Sequence, residues 1–376
     1  MLVHLLPLFL ANVLSVRIAV IGLIEGIAET TASLTKIYSG WLSDRLGRRK
    51  GLTVGGYGLA ALAMPLLLVA RTWPVVLLYR FLDRIGKGIR TAPRDALIAD
   101  SVEPRQRGVS FGIHRAADSA GAFLGLLLAI GFVWKLQGGG VALDASTFRT
   151  IVTWALVPAG LATLVVAVGV KEVVTSRPAT LPRLSFQGVD PRFKRFLVVM
   201  ALFTLGNSTD AFLILRAQSG GATVVAILWL LVGFNLVYTL LSGPAGALSD
   251  RIDRRRVIVA GWLLYTLVYL GFAWADRVWQ FAVLYALYGA YYALTAGVAK
   301  AYVADLVPEP ERRGSAYGAY HGVIGLTVLP ASVIAGVLWQ GAGAWSGFGP
   351  AAPFLFGGGL SLVATLLLWR WVDRAV

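Results

Sequence analysis

The 376-residue chain has no cysteine, only three histidines and only 19 acidic residues, and each shortage closes off a class of function. Without cysteine there is no disulfide, no thiolate nucleophile and no thiolate metal ligand. His4, His114 and His321 lie too far apart in sequence to show a ligand spacing, so no metal site is expected. No P-loop pattern occurs, and no serine–base or histidine–carboxylate constellation of an intramembrane enzyme is evident. The reading is a protein that is not an enzyme and holds no cofactor. Charge is also scarce: 14% of residues are charged against 57% apolar, with a mean hydropathy of +0.72. A water-soluble globule cannot present such a surface, so the chain is an all-α integral membrane protein.

What is abundant is apolar sequence in lengths that suit a bilayer, since about 30 Å of hydrocarbon needs roughly 20 helical residues. Eleven full spans are expected, at 18–42, 52–70, 75–99, 108–132, 150–170, 196–216, 222–245, 257–275, 280–304, 314–339 and 351–372. Turn or charge signals such as "RTWP", "VEPRQRG", "QGGG", "ADRVW", "PEPERRG" and "GFGP" separate them. Ahead of them stands "MLVHLLPLFLANVL", whose length as a helix is about 21 Å, short of a full crossing. The expectation is that a twelfth, first span is truncated at the N-terminus and that translation starts upstream.

The net charge of +15 could point to nucleic acid, but its placement argues for a bilayer. Twenty of the 34 basic residues lie in one set of loops and the C-terminal tail. The opposite loops hold five, Arg17, Arg71, Lys135, Arg149 and Arg277. The basic set is cytoplasmic by the positive-inside rule, which puts the C-terminus inside and suits the inner membrane of a prokaryote.

The sequence repeats itself. "GWLSDRLGRRK" at 40–50 returns as "GALSDRIDRRR" at 246–256. "LLYRF" at 77–81 faces "VLYAL" at 283–287, and "ADSVEPRQRGVSFGIH" at 99–114 faces "ADLVPEPERRGSAYGAYH" at 304–321. Two halves, 1–170 and 196–376, joined by a polar linker at 171–195, are the mark of a duplicated transporter.

These residues resemble the major facilitator superfamily of secondary transporters over essentially the whole chain. The family pattern G-x-L-x-D-R-x-G-R-[RK] is matched by Gly40, Leu42, Asp44, Arg45, Gly47, Arg48 and Arg49. The second copy keeps Gly246, Leu248, Asp250, Arg251, Arg254 and Arg255, with Asp253 in place of the glycine. A fourth-span pattern is approached by Arg80, Gly86 and Gly88. Of the fifth-span exporter motif, Gly121 and Gly125 are present and Leu126 replaces the proline. The resemblance implies two six-helix halves related by a pseudo-two-fold axis, twelve spans in all, with alternating access; the chain is expected to act as a monomer. It implies that the charged loops latch the cytoplasmic side, with Asp44 near a helix N-terminus and Arg45 near Asp100. A simple positive-inside anchor explains the arginines but not Asp44, the glycines or the repeat.

A charge at the bilayer centre costs about 2.5 to 3.5 kcal/mol even on a lenient scale, so charges inside spans face inward or have partners. Arg80, Arg84, Lys87 and Arg94 fall within roughly an 80° arc at about 100° per residue, flanked by Asp83, Arg90 and Asp95. Glu25, Glu29 and Lys36 share a second stripe, and His114 and Asp118 a third. Seven basic residues face five acidic ones inside first-half spans, which favours an anionic or zwitterionic solute with the acids left to carry protons. Arg80, Arg84 and Lys87 are the expected substrate contacts, and Glu25, Glu29, Asp83, His114 and Asp118 the expected proton carriers. In the drier second half, Asn207 and Asp210 interrupt the seventh span next to a glycine, and Tyr285, Tyr288, Tyr292 and Thr295 share a face of the tenth. Asn207, Asp210, Tyr288 and Tyr292 complete the expected substrate site, though the tyrosines also suit plain helix packing. The alternatives are export of lipophilic cations and drugs, or a receptor-like or scaffold protein that moves no solute.

Overall fold

The structure is a computed structural model that describes residues 2–46, 48–101, 107–138, 140–172, 190–307 and 310–372. Within these, the side chains of 41, 44, 45, 99, 100, 107–113, 115, 116, 119, 250, 304, 310–315 and 317 are outside the described set. Among the described residues every regular element is a helix. Helix α1 (Leu2–Leu8) runs into a wider π turn at Phe9–Val13, followed by α2 (Ile18–Leu46), α3 (Lys50–Ala63), α4 (Leu66–Val69), α5 (Trp73–Asp100), α6 (Arg107–Gln137) and α7 (Ala145–Gly169). The second half holds α8 (Pro191–Gly206), α9 (Ala211–Ser219), α10 (Val224–Arg251), α11 (Arg254–Trp274), α12 (Val278–Leu306), α13 (Pro310–Gln340) and α14 (Ala352–Trp371).

Ten helical stretches among the described residues are long and apolar enough to cross a membrane. The eleventh span expected from the sequence is α5, 28 residues long and too charged to qualify by composition alone. The breaks have local causes. Pro65 lacks the N–H that would continue the helix, so α3 and α4 form one bent stretch. Pro74 sits in the first turn of α5, where its fixed φ costs nothing. Thr223 accepts the Ala226 N–H at 3.1 Å and starts α10.

The described chain packs as two units, and the seam runs through α2. The first comprises Met1–Val16, Ile27–Gly138 and Leu143–Arg183; the second comprises Arg17–Gly26, Gly139–Ala142 and Leu184–Val376. In the first, α3 lies against α5 and α7. A Cβ on Gly56 would come within 2.6 Å of the Gly86 carbonyl, so the glycines let α3 and α5 touch backbone to backbone. The Ser39 hydroxyl donates to the Gly88 carbonyl at 2.8 Å, tying α2 to α5. Phe9 stacks on Phe148 of α7 with ring centroids 4.0 Å apart.

In the second unit α10 packs on α12, α11 on both α12 and α14, and α8 on α13 and α14. The start of α2 belongs here: Arg17 donates to the Gln340 carbonyl at 3.2 Å, and the Gln340 side-chain oxygen accepts the Ile18 N–H. Outward faces carry Leu62, Trp134, Val168, Leu267 and Trp274, each at least 66% exposed. Tryptophans cluster at helix ends, as at Trp73, Trp134, Trp274, Trp279 and Trp371, where an interfacial aromatic belt places them.

Candidate functional site

The basic stripe of α5 folds inward as its periodicity predicts. Arg80 is 1% exposed and Arg84 3%. Arg84 pairs with Glu29 of α2 at 3.2 Å and with Asp83 at 3.4 Å. Glu29 keeps 40% of its side-chain surface accessible, so it stands at the open end of a pair whose arginine is enclosed. Lys87, one turn on, is half-buried. The other stripe residues are used differently. Arg90 lies over the Tyr57 ring at 4.3 Å, and Arg94 bonds its neighbour Asp95 at 2.8 and 3.0 Å. Glu25 and Glu29 share a helix face, yet the seam divides them: Glu25, 5% exposed, belongs to the second unit and Glu29 to the first. On α6, His114 is half-buried and Asp118 exposed.

In the second unit, α8 stops at Gly206 and α9 restarts at Ala211, leaving Asn207–Asp210 unwound inside a membrane-length stretch, as the glycine and polar residues predict. The Tyr288 hydroxyl donates to Asp210 Oδ1 at 2.8 Å. Tyr292 packs edge-on to Tyr288 with centroids 5.1 Å apart. The four second-half residues expected at the substrate site therefore meet at one place.

Two further residues there have no obvious signal in the sequence. Tyr265 and Tyr269 of α11 stack at 4.1 Å; the Tyr265 hydroxyl donates to the Gly206 carbonyl at 3.1 Å with Asn207 Oδ1 also in reach at 3.3 Å, and the Tyr269 hydroxyl donates to Asn207 Oδ1 at 3.4 Å. An i, i+4 tyrosine pair inside "WLLYTLVYL" looks like packing until the chain break is placed beside it. Arg216, a charge within the seventh span, is structural: it donates to the Phe272, Ala273 and Ala275 carbonyls at 2.9, 3.3 and 2.6 Å and closes the C-terminus of α11.

Of the expected latch, Gly47 lies outside the described residues, as do the side chains of Asp44, Arg45, Asp100 and Asp250. Gly40 faces Ala92 of α5, while a Cβ on Gly246 would meet nothing within 4 Å among the described residues. Arg48 and Arg251 are exposed. Arg49 begins α3, and its N–H is taken by Glu172 at 2.8 Å. In the second copy Arg254 pairs with Asp305 at the end of α12. Asp305 stands where the repeat puts Asp100 in the first half, so alignment of "ADS" with "ADL" could have found it. Asp253 replaces the motif glycine because it caps α11, accepting the Arg255 N–H at 2.9 Å. Arg255 then reaches the Val372 and Trp369 carbonyls of α14.

A model of the Major Facilitator Superfamily matches residues 1–215 and 195–376. The chain belongs to the major facilitator superfamily. It is 36% identical over 375 residues to an uncharacterised MFS-type transporter of Methanocaldococcus jannaschii, covering 98% of this chain and 89% of that one. It is 24% identical over 374 residues to the multidrug resistance protein MdtH of Klebsiella pneumoniae, covering 93% and 84%. Among solved structures, the nucleoside transporter NupG superposes with a TM-score of 0.73 at 13% identity, covering 98% and 94%. The protein is thus an integral membrane transporter with the superfamily fold.

Proposed function

We propose that this superfamily member is a secondary active transporter, working by alternating access, of a small anionic or zwitterionic solute and coupled to protons. The observation that carries the reading is the Arg84–Glu29 pair, an enclosed guanidinium 3.2 Å from an accessible carboxylate. A solute carboxylate competes for Arg84, and a proton on Glu29 releases the arginine to receive it. Arg80 and Lys87 extend the positive site, with Asn207, Asp210, Tyr288 and Tyr292 as contacts in the second half. Asp83 sits beside Arg84, and Glu25, His114 and Asp118 are the remaining groups proposed to carry protons. The loops at 40–50 and 246–256, with Asp100, act as the cytoplasmic latch. The protein is placed in a prokaryotic inner membrane as a monomer, C-terminus inside.

Thermal unfolding in detergent against matched anionic, zwitterionic, cationic and neutral solutes tests this, because a ligand that binds the folded state raises its stability. Stabilisation by carboxylate-bearing solutes, lost in Arg84→Gln, is expected. Stabilisation by lipophilic cations alone would favour the second reading, drug export. That reading draws on similarity to the Klebsiella multidrug resistance protein and on the carboxylate set among tyrosines at Asp210.

A further inference from the structure

Asp210 is the sole acidic residue within the six membrane-length stretches of the second half. It is exposed in the middle of an apolar stretch, and an ionised carboxylate facing lipid there would be strongly unfavourable. Its open side therefore meets water or a polar solute. Around it the hydroxyls are arranged unevenly. Tyr288 donates to the carboxylate. Tyr269 donates to Asn207 Oδ1, and Tyr265 lies between that oxygen and the Gly206 carbonyl, which leaves the Asn207 amide nitrogen on the other side of its side chain. Tyr285, one turn before Tyr288 on α12, has a buried hydroxyl with no partner among the described residues. The Thr209 hydroxyl is likewise buried and unpartnered. Buried polar atoms are nearly always hydrogen-bonded, so two orphans beside one chain break mark a place where a polar ligand or water completes the set. Aromatic faces close the surroundings: Phe234, Tyr288 and Tyr292 pack within 5.1 to 5.6 Å of one another.

We infer that the Asn207–Asp210 break and the tyrosines of α11 and α12 form a subsite for a primary ammonium group on the transported solute. An ammonium has three N–H donors and no acceptor. Asp210, the Tyr285 oxygen and the Thr209 oxygen are three acceptors of the required kind, and tyrosine faces attract the remaining positive charge. A quaternary ammonium would satisfy the rings and the carboxylate but leave both hydroxyls orphaned. This rests on the transporter reading and narrows its solute to one that bears an amine. It also separates that solute from a lipophilic cation recognised by charge and rings alone.

The test uses four matched probes on the purified full chain by calorimetry: 2-phenylethylamine, its N,N,N-trimethyl derivative, 2-phenylethanol and 3-phenylpropionate. The primary amine should bind at least tenfold more tightly than the alcohol and the trimethyl compound, and Asp210→Asn should remove that preference. Tyr285→Phe removes, and Thr209→Val exchanges for a methyl, a hydroxyl with no partner among the described residues, so they keep the fold even if Asp210→Asn does not. They should weaken the primary amine several-fold and leave the trimethyl compound unchanged. Equal binding of the primary and quaternary amines, or primary-amine affinity unmoved by Tyr285→Phe and Thr209→Val, overturns the subsite. Proteoliposome uptake keeps the two readings apart. Amine binding that depends on Asp210 without any uptake would contradict transport and leave the subsite standing; uptake indifferent to Asp210→Asn would do the reverse.

Discussion

Glu172 accepts the backbone N–H of Arg49 at 2.8 Å and that of Lys50 at 3.1 and 3.2 Å, so a carboxylate beyond the end of α7 caps the start of α3. The second half meets the same need locally, with Asp253 capping α11. The repeat thus keeps a capped helix after the charged loop while changing which residue supplies the oxygen. Capping and charge at a helix N-terminus contribute about 0.5 to 2 kcal/mol. Glu172→Ala and Asp253→Ala should each lower thermal stability by that amount, and Glu172→Ala should do so although it lies more than a hundred positions from α3 in sequence. Unchanged melting of both variants would show that water replaces the caps.

The Arg84–Glu29 pair is asymmetric, since Arg84 is 4% exposed and Glu29 40%. Removing Arg84 leaves a carboxylate that water can reach, whereas removing Glu29 strands an enclosed guanidinium with Asp83 as its remaining partner. Glu29→Gln should therefore destabilise more than Arg84→Met, with the loss below the roughly 3 to 5 kcal/mol seen when fully buried pairs are broken. Denaturant unfolding of both single variants and the double variant checks the order.

Two glycines should respond oppositely to substitution. A Cβ on Gly206 would lie 2.8 Å from the Gly357 carbonyl and 2.9 Å from Leu360 of α14, so Gly206→Ala should cost about 1 to 3 kcal/mol through forced separation. Gly121 on α6 has nothing within 4 Å of that position among the described residues, and Gly121→Ala should be neutral or gain up to about 1 kcal/mol of helix propensity. Melting temperatures of the two variants make the comparison.

Asp190 starts α8. It accepts the Arg192 N–H at 2.7 Å and two guanidinium bonds at 2.9 and 3.0 Å. The side-chain bonds from Arg192 hold its carboxyl below the usual value of 3.8. The folded chain therefore binds this proton less tightly than the unfolded chain. The stabilisation is complete above about pH 5 and is lost as acid carries the pH down through the lower folded value. The stability difference between the wild type and Asp190→Ala should hold steady from pH 7 to about pH 5 and shrink below about pH 4.

Helix content, the duplication and the inward stripe of α5 were legible because each follows from a period: about 20 apolar residues for a span, an offset of about 206 for the repeat, 3.6 for the stripe. The break at Asn207–Asp210 was legible because a glycine followed by polar residues cannot sit quietly in an apolar helix. What was hidden is non-local. Glu172 reads as one linker charge among several, and nothing in it announces α3. Tyr265 and Tyr269 read as packing because their partner, Asn207, is contributed by another helix. The seam within α2 follows from packing on α13 through Gln340 and cannot be seen in a continuous helical pattern.

The central claim, that Glu29 couples solute movement to protons through Arg84, is tested most directly in proteoliposomes filled with a pH-sensitive dye. The stabilising solute identified by thermal shift is added outside. Wild-type protein should move protons with the solute. Glu29→Gln should still exchange labelled for unlabelled solute but shift no pH. Proton movement in Glu29→Gln equal to that of the wild type would contradict the account.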